Sequence, residues 1–153
     1  MKKRRFLPTK YELMKGYFFL FGIPKDGFVS IECSPATAND TEATVTEARR
    51  LWKSVDRPNV MIKIPGTKAG VPAVRRTLAV GIHVNLTLLF AVERYEEIME
   101  AYLGALEERV KAGKPIDRLQ SVASFFVSRV DSKVDAKLNE MIAAGGPKAE
   151  KAK

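Results

Sequence analysis

Alternation is the feature that most narrows the folds open to this chain. From residue 28 onward, short runs of β-branched and aromatic residues alternate with longer segments of helical period: 28–33 then 41–55, 60–65 then 71–80, 83–90 then 92–112, and 119–130 then 131–144. Strand-length runs separated by helix-length segments predict parallel strands joined by helical crossovers, with helices covering the sheet. The ends of the helical segments carry matching signals. Asp40 or Thr41 is placed to cap the first, Pro72 falls near the start of the second, and Gly81, Gly113 and Gly145 lie just past helix ends. In the third, Tyr95, Ile98, Met99 and Tyr102 share one face, while Glu96, Glu97, Glu100, Glu107 and Glu108 fall largely elsewhere.

Four units of about 30 residues match the repeat of an eight-unit (β/α) barrel of about 250 residues. The fold class is therefore α/β, a partial (β/α)8 TIM barrel of about four βα units, or half barrel. The 153 residues suit one domain. A chain of this size buries roughly 70% of its unfolded surface without a disulfide or metal. Cys33 has no second cysteine to pair with and no histidine cluster beside it, which argues against a disulfide scaffold and a zinc site and for a reducing cytoplasmic setting.

The net charge of +8 reads as a nucleic-acid signal only until it is placed along the chain. Residues 1–25 carry seven basic side chains against Glu12, residues 146–153 carry three against Glu150, and residues 26–145 balance. The excess belongs to a basic leader (1–25) and a basic tail (146–153), not to the body (26–145), so no nucleic-acid partner is expected. The aromatic run at 17–21 follows Lys10, Glu12 and Lys15 and precedes no small-residue cleavage site, unlike a signal peptide, and no stretch is long enough to cross a membrane.

Active sites of α/β folds gather at the carboxyl ends of strands. Polar residues interrupt the apolar strand runs there: Glu32, Lys63, Asn85 with Thr87, and Ser124. A charge inside a buried strand costs several kcal/mol unless it is paired or neutralised, so such positions mark candidate sites. Lys63, flanked by Val60, Met61, Ile62 and Ile64, is expected to be desolvated, with its free amine available to attack carbonyls. An ion pair with Glu32 on a neighbouring strand is the alternative, and the two are compatible, because a nearby carboxylate can also move protons during imine formation.

The strings VSIECSP (29–35) with NDT (39–41), RPNVMIKIPGT (57–67), GIHVNLTLLF (81–90) and SVASFFVSRVD (121–131) closely resemble transaldolase of the longer bacterial type. The resemblance covers about residues 26–150 and corresponds to barrel strands three to six. It implies a Schiff-base enzyme of the pentose phosphate pathway that moves a dihydroxyacetone unit between sugar phosphates, with no metal or cofactor. The sugars implied are sedoheptulose 7-phosphate, fructose 6-phosphate, glyceraldehyde 3-phosphate and erythrose 4-phosphate. Carried across by residue, Lys63 is the imine-forming lysine, and Glu32 and Thr87 hold the catalytic water. Asn85 and Ser124 bind hydroxyls of the three-carbon unit, Phe126 packs beside it, and Arg129 grips the phosphate, with a salt bridge to Asp131 or Asp135 as the competing role.

The sequence also departs from the family. The aspartate of the first strand that serves as general base, the asparagine of the second and the phosphate contacts of the seventh have no match, and Asp26 precedes its strand at the wrong end to substitute. The expectation is a truncated form with impaired turnover, whose open sheet edges favour self-association. A lyase releasing free dihydroxyacetone, or a non-catalytic sugar-phosphate-binding fragment, are the alternatives. The remaining features have plainer readings. The segment GTKAG (66–70) lacks P-loop spacing, His83 is expected to pack, Leu51 and Trp52 to lie in the core, and Cys33 to be a buried, inert thiol.

Overall fold

The computed structural model describes residues 27–152. Four parallel strands, β1 (Val29–Glu32), β2 (Val60–Pro65), β3 (Val84–Leu89) and β4 (Ser121–Phe125), form one sheet in the order β1-β2-β3-β4. Each is followed by a helix: α1 (Thr41–Val55), α2 (Gly70–Ala79), α3 (Val92–Lys111) and α4 (Val127–Ala144). A short 3-10 turn, Pro35–Thr37, precedes α1, and α5 (Pro147–Ala152) follows α4. The leader and Asp26 lie outside the described residues.

A single core lies between the sheet and α1, α2 and α3. Ile31, Ile62, Ile64, Val84 and Leu86, alternate residues of their strands, with Cys33 just past β1 and Leu89 beyond a break in the alternation of β3, meet Ala48, Leu51 and Val55 of α1, Val74 and Leu78 of α2, and Ile98 and Ala105 of α3. The period of two then leaves the other strand residues on the opposite face, where the polar positions fall. Trp52 packs against this core, as do Tyr95 and Tyr102, whereas Met99, expected on the same buried face, is exposed.

Local chemistry sets the boundaries. Asp40 caps α1, its Oδ1 accepting the Ala43 N–H at 2.9 Å. The helix ends on Asp56 in the left-handed conformation (φ 50). Gly81 follows α2 with φ 96, and a Cβ there would lie 2.8 Å from Nη1 of Arg109. That guanidinium is nearly buried and donates to Ala79 O and Pro115 O, tying the end of α2 to the chain beyond α3.

One expectation needs correction at the carboxyl side. The fourth strand does not run through 119–130: it stops at Phe125, and Val127 already begins α4, so Arg129 lies on a helix. Val127, Val130, Val134 and Leu138 recur at helical spacing, and this period outweighs the β-branched composition that reads as strand. The tail at 146–153 contains the helix α5, which packs against α4. α4 buries no residue; Val127, Val130 and Val134 are exposed, as are Val122 and Phe125 of β4, which is an outer strand among the described residues.

Candidate active site

Register assembles the polar face. Glu32 lies opposite Lys63 on β2, and Lys63 lies opposite Asn85 on β3, so three strands contribute one row of side chains. Lys63 Nζ stands 3.4 Å from Glu32 Oε1, with the lysine side chain 26% and the carboxylate 57% exposed. The ion pair is therefore present, and the lysine expected to be desolvated is removed from water only in part. Ile62 and Ile64 flank Lys63 in sequence but point to the helices, leaving Met61 and Pro65 as its same-face neighbours on the strand.

Asn85 links the row to its neighbours. Its Nδ2 donates to Ser30 Oγ at 2.8 Å, and its Oδ1 accepts from Ser124 Oγ at 2.8 Å. Ser30 was not singled out from sequence, although it lies two residues before Glu32 on the same face of β1. Thr87, opposite Pro65, is one step further toward the strand ends. Its side chain is 1% exposed and its Oγ1 has no hydrogen-bond partner among the described residues. A buried hydroxyl without a partner costs about 1–3 kcal/mol, so this is a position where the fold gives up stability.

The mouth of the site is shaped by a bulge. Leu86 pairs with Ala123 and Leu89 with Phe125, so β3 spends one residue more than β4 over this stretch, and Leu88 takes φ 60. Beyond it, the Phe90 ring lies 6.1 Å from that of Phe126, with 19° between their planes. The Arg129 guanidinium carbon is 4.3 Å from the Phe126 centroid. Among the described residues Arg129 forms no salt bridge with Asp131 or Asp135. It occupies the first turn of α4, where the helix dipole disfavours a cation and where an anion would offset that cost.

The plainer readings also have structural counterparts. His83 is buried against Phe28 and Trp52; it accepts the Gln120 N–H at Nδ1, and its Nε2 lies 3.0 Å from Pro58 O. Burial lowers its pKa, the carbonyl of Pro58 opposing this in part. Cys33 is buried, and desolvation, helped by Glu47, pushes its thiol up to about 12. The 66–70 loop is a packing device: a Cβ at Gly66 would lie 2.5 Å from Leu89 Cδ2, and one at Gly70 would lie 2.0 Å from Pro65 O. Thr67 Oγ1 accepts the Gly70 N–H at 2.9 Å. Among the described residues there is no helix long and apolar enough to cross a membrane, and no cluster of three or more His, Cys, Asp or Glu that could hold a metal ion.

Consecutive parallel βα units with the polar residues gathered on the face opposite the helices define a partial (β/α) barrel. The Transaldolase/Fructose-6-phosphate aldolase family profile matches residues 11–153, and the chain belongs to that family. The match begins inside the segment set apart as a leader. A transaldolase of Parafrankia sp. (strain EAN1pec) is 58% identical over 125 residues, 82% of this chain and 33% of that protein. Those of Saccharopolyspora erythraea and Mycobacterium tuberculosis (strain ATCC 25618 / H37Rv) are 55% and 54% identical over 116 residues, 76% of this chain and 32% and 31% of theirs. The chain spans about a third of the length of the curated relatives it matches.

Proposed function

We propose that the inner face of this sheet carries transaldolase-type chemistry, with Lys63 forming an imine with the ketone of a sugar phosphate. The observation that carries the reading is the Lys63–Glu32 pair, 3.4 Å apart and open enough for a substrate to reach. Attack by Lys63 Nζ on the carbonyl carbon requires the ammonium to shed a proton, and Glu32 is placed to take it. Returning that proton to the carbinolamine hydroxyl releases water and leaves the protonated imine, so the carboxylate ends as it began and the positive charge stays on the nitrogen. Thr87 directs its hydroxyl toward the water in this exchange, and Asn85 and Ser124 bind hydroxyls of the dihydroxyacetone unit. Phe126 packs beside that unit, and Arg129 receives the phosphate.

Membership of the family supports a transferase working on fructose 6-phosphate or sedoheptulose 7-phosphate as donor and glyceraldehyde 3-phosphate or erythrose 4-phosphate as acceptor. The family description also includes aldolases, which favours a lyase as the second reading. The test is borohydride reduction of the folded chain with fructose 6-phosphate, followed by peptide mass analysis. Stable adduct on Lys63, absent in Lys63→Ala, is the expected result; a folded chain with no adduct at Lys63 removes the mechanism. Release of free dihydroxyacetone without acceptor would select the lyase.

A further inference from the structure

Phe90 is out of place for a regular strand. Asn85 and Thr87 face the inner side of β3, so simple alternation would put Leu89 there too and turn Leu88 and Phe90 toward the helices. The bulge reverses this order: Leu88 adopts φ 60 and is exposed, Leu89 enters the core, and Phe90 emerges at the mouth. A leucine in the left-handed region and a phenylalanine left in water are both unfavourable, and neither adds to the core. What the arrangement does achieve is the contact of Phe90 with Phe126, the ring over which Arg129 lies.

We propose that Phe90 is a positioning residue that braces Phe126, and through it holds Arg129 toward a groove that takes a phosphate monoester. The groove, about 670 Å³, is lined by Phe90, Ser128, Arg129, Ser132 and Lys133 among others. Arg129 and Lys133, four residues apart on α4, bring two like charges together on its wall, an arrangement that a shared anion relieves. An arginine confined against a ring has given up part of its rotamer freedom before the ligand arrives, so less is lost on binding. The inference rests on the reading of Arg129 as the phosphate ligand, but the brace itself is measurable without any ligand.

The experiment uses the full 153-residue chain and two readouts. The first is the ring-current displacement of the Arg129 side-chain protons by NMR; the second is affinity for inorganic phosphate by titration. Phe90→Ala and Phe90→Leu should return the Arg129 protons toward free-arginine positions and weaken phosphate binding about fivefold, the size of one aromatic contact. Phe90→Tyr, which restores the ring, should keep both. Unchanged Arg129 shifts and affinity in Phe90→Ala and Phe90→Leu would overturn the brace, as would equal losses in all three variants. Phosphate affinity untouched by Arg129→Ala would instead overturn the ligand assignment while leaving the brace to stand on the shifts.

Discussion

Lys63 and Glu32 occupy opposite positions in register on adjacent parallel strands, with Nζ 3.4 Å from Oε1. Both groups reach solvent, so as a source of stability the pair is an ordinary exposed ion pair, worth about 0–1 kcal/mol. On the proposed imine mechanism its chemical value is greater, because imine formation needs a proton taken from the amine and given to the departing hydroxyl. Glu32→Gln should therefore change urea-unfolding stability by less than about 1 kcal/mol. The rate of borohydride-trapped adduct at Lys63 should fall about 100-fold. Equal trapping rates in the variant and the parent would exclude Glu32 from the proton path.

Thr87 should show the opposite balance between stability and chemistry. Its hydroxyl is buried without a partner among the described residues, and valine reproduces its shape without the polar atom. Thr87→Val should raise the unfolding free energy by about 1 kcal/mol, since it removes an uncompensated desolvation cost. Trapping at Lys63 should slow in the same variant. A threonine-to-valine change that lowers stability instead would mean that Oγ1 is satisfied in solution and is not held for the reaction.

The strand cores and the polar row were legible for one shared reason. Lys63, Glu32, Asn85 and Ser124 are conspicuous because each interrupts an apolar run, and the interruption survives folding as a polar face opposite the helices. Ser30 was invisible because a serine at an exposed strand position violates nothing; only the fold brings it within 2.8 Å of Asn85. The desolvation of Lys63 is only partial because neighbours in sequence lie on opposite faces of a strand, so the isoleucines on either side of it face the core and not the amine. The start of α4 was misplaced because Phe125–Val130 is strand-like in composition throughout, while its helical period shows only when the window extends to Val134 and Leu138. The bulge at Leu88 left no sequence trace, since no glycine or asparagine marks the left-handed position.

His83 makes stability depend on pH in a direction fixed by its burial. Its folded pKa lies below the ordinary value of about 6.5, because desolvation penalises the imidazolium. Well above the ordinary value the ring is neutral in both states and folding is unaffected. As pH falls below that value the unfolded chain binds the proton first, so stability drops until the folded pKa is passed. Urea unfolding between pH 7.5 and 5 should show this loss, and His83→Gln should reduce it. A slope of the same size in His83→Gln would assign the effect to other groups.

Cys33 follows Glu32 directly yet faces the other way, into the core between the sheet and α1. Only thiolate reacts with alkylating agents, and burial together with Glu47 pushes this thiol up to about 12, against the weaker opposing pull of Arg50. At pH 8 the native thiol should react with iodoacetamide about a thousandfold more slowly than an ordinary cysteine of pKa about 8.5. Adding urea above the unfolding midpoint should restore the ordinary rate, making alkylation of Cys33 a direct measure of global opening. Mass spectrometry of the intact chain over time checks both limbs. Rapid alkylation of folded protein at pH 8 would show that the interface between β1 and α1 opens without unfolding.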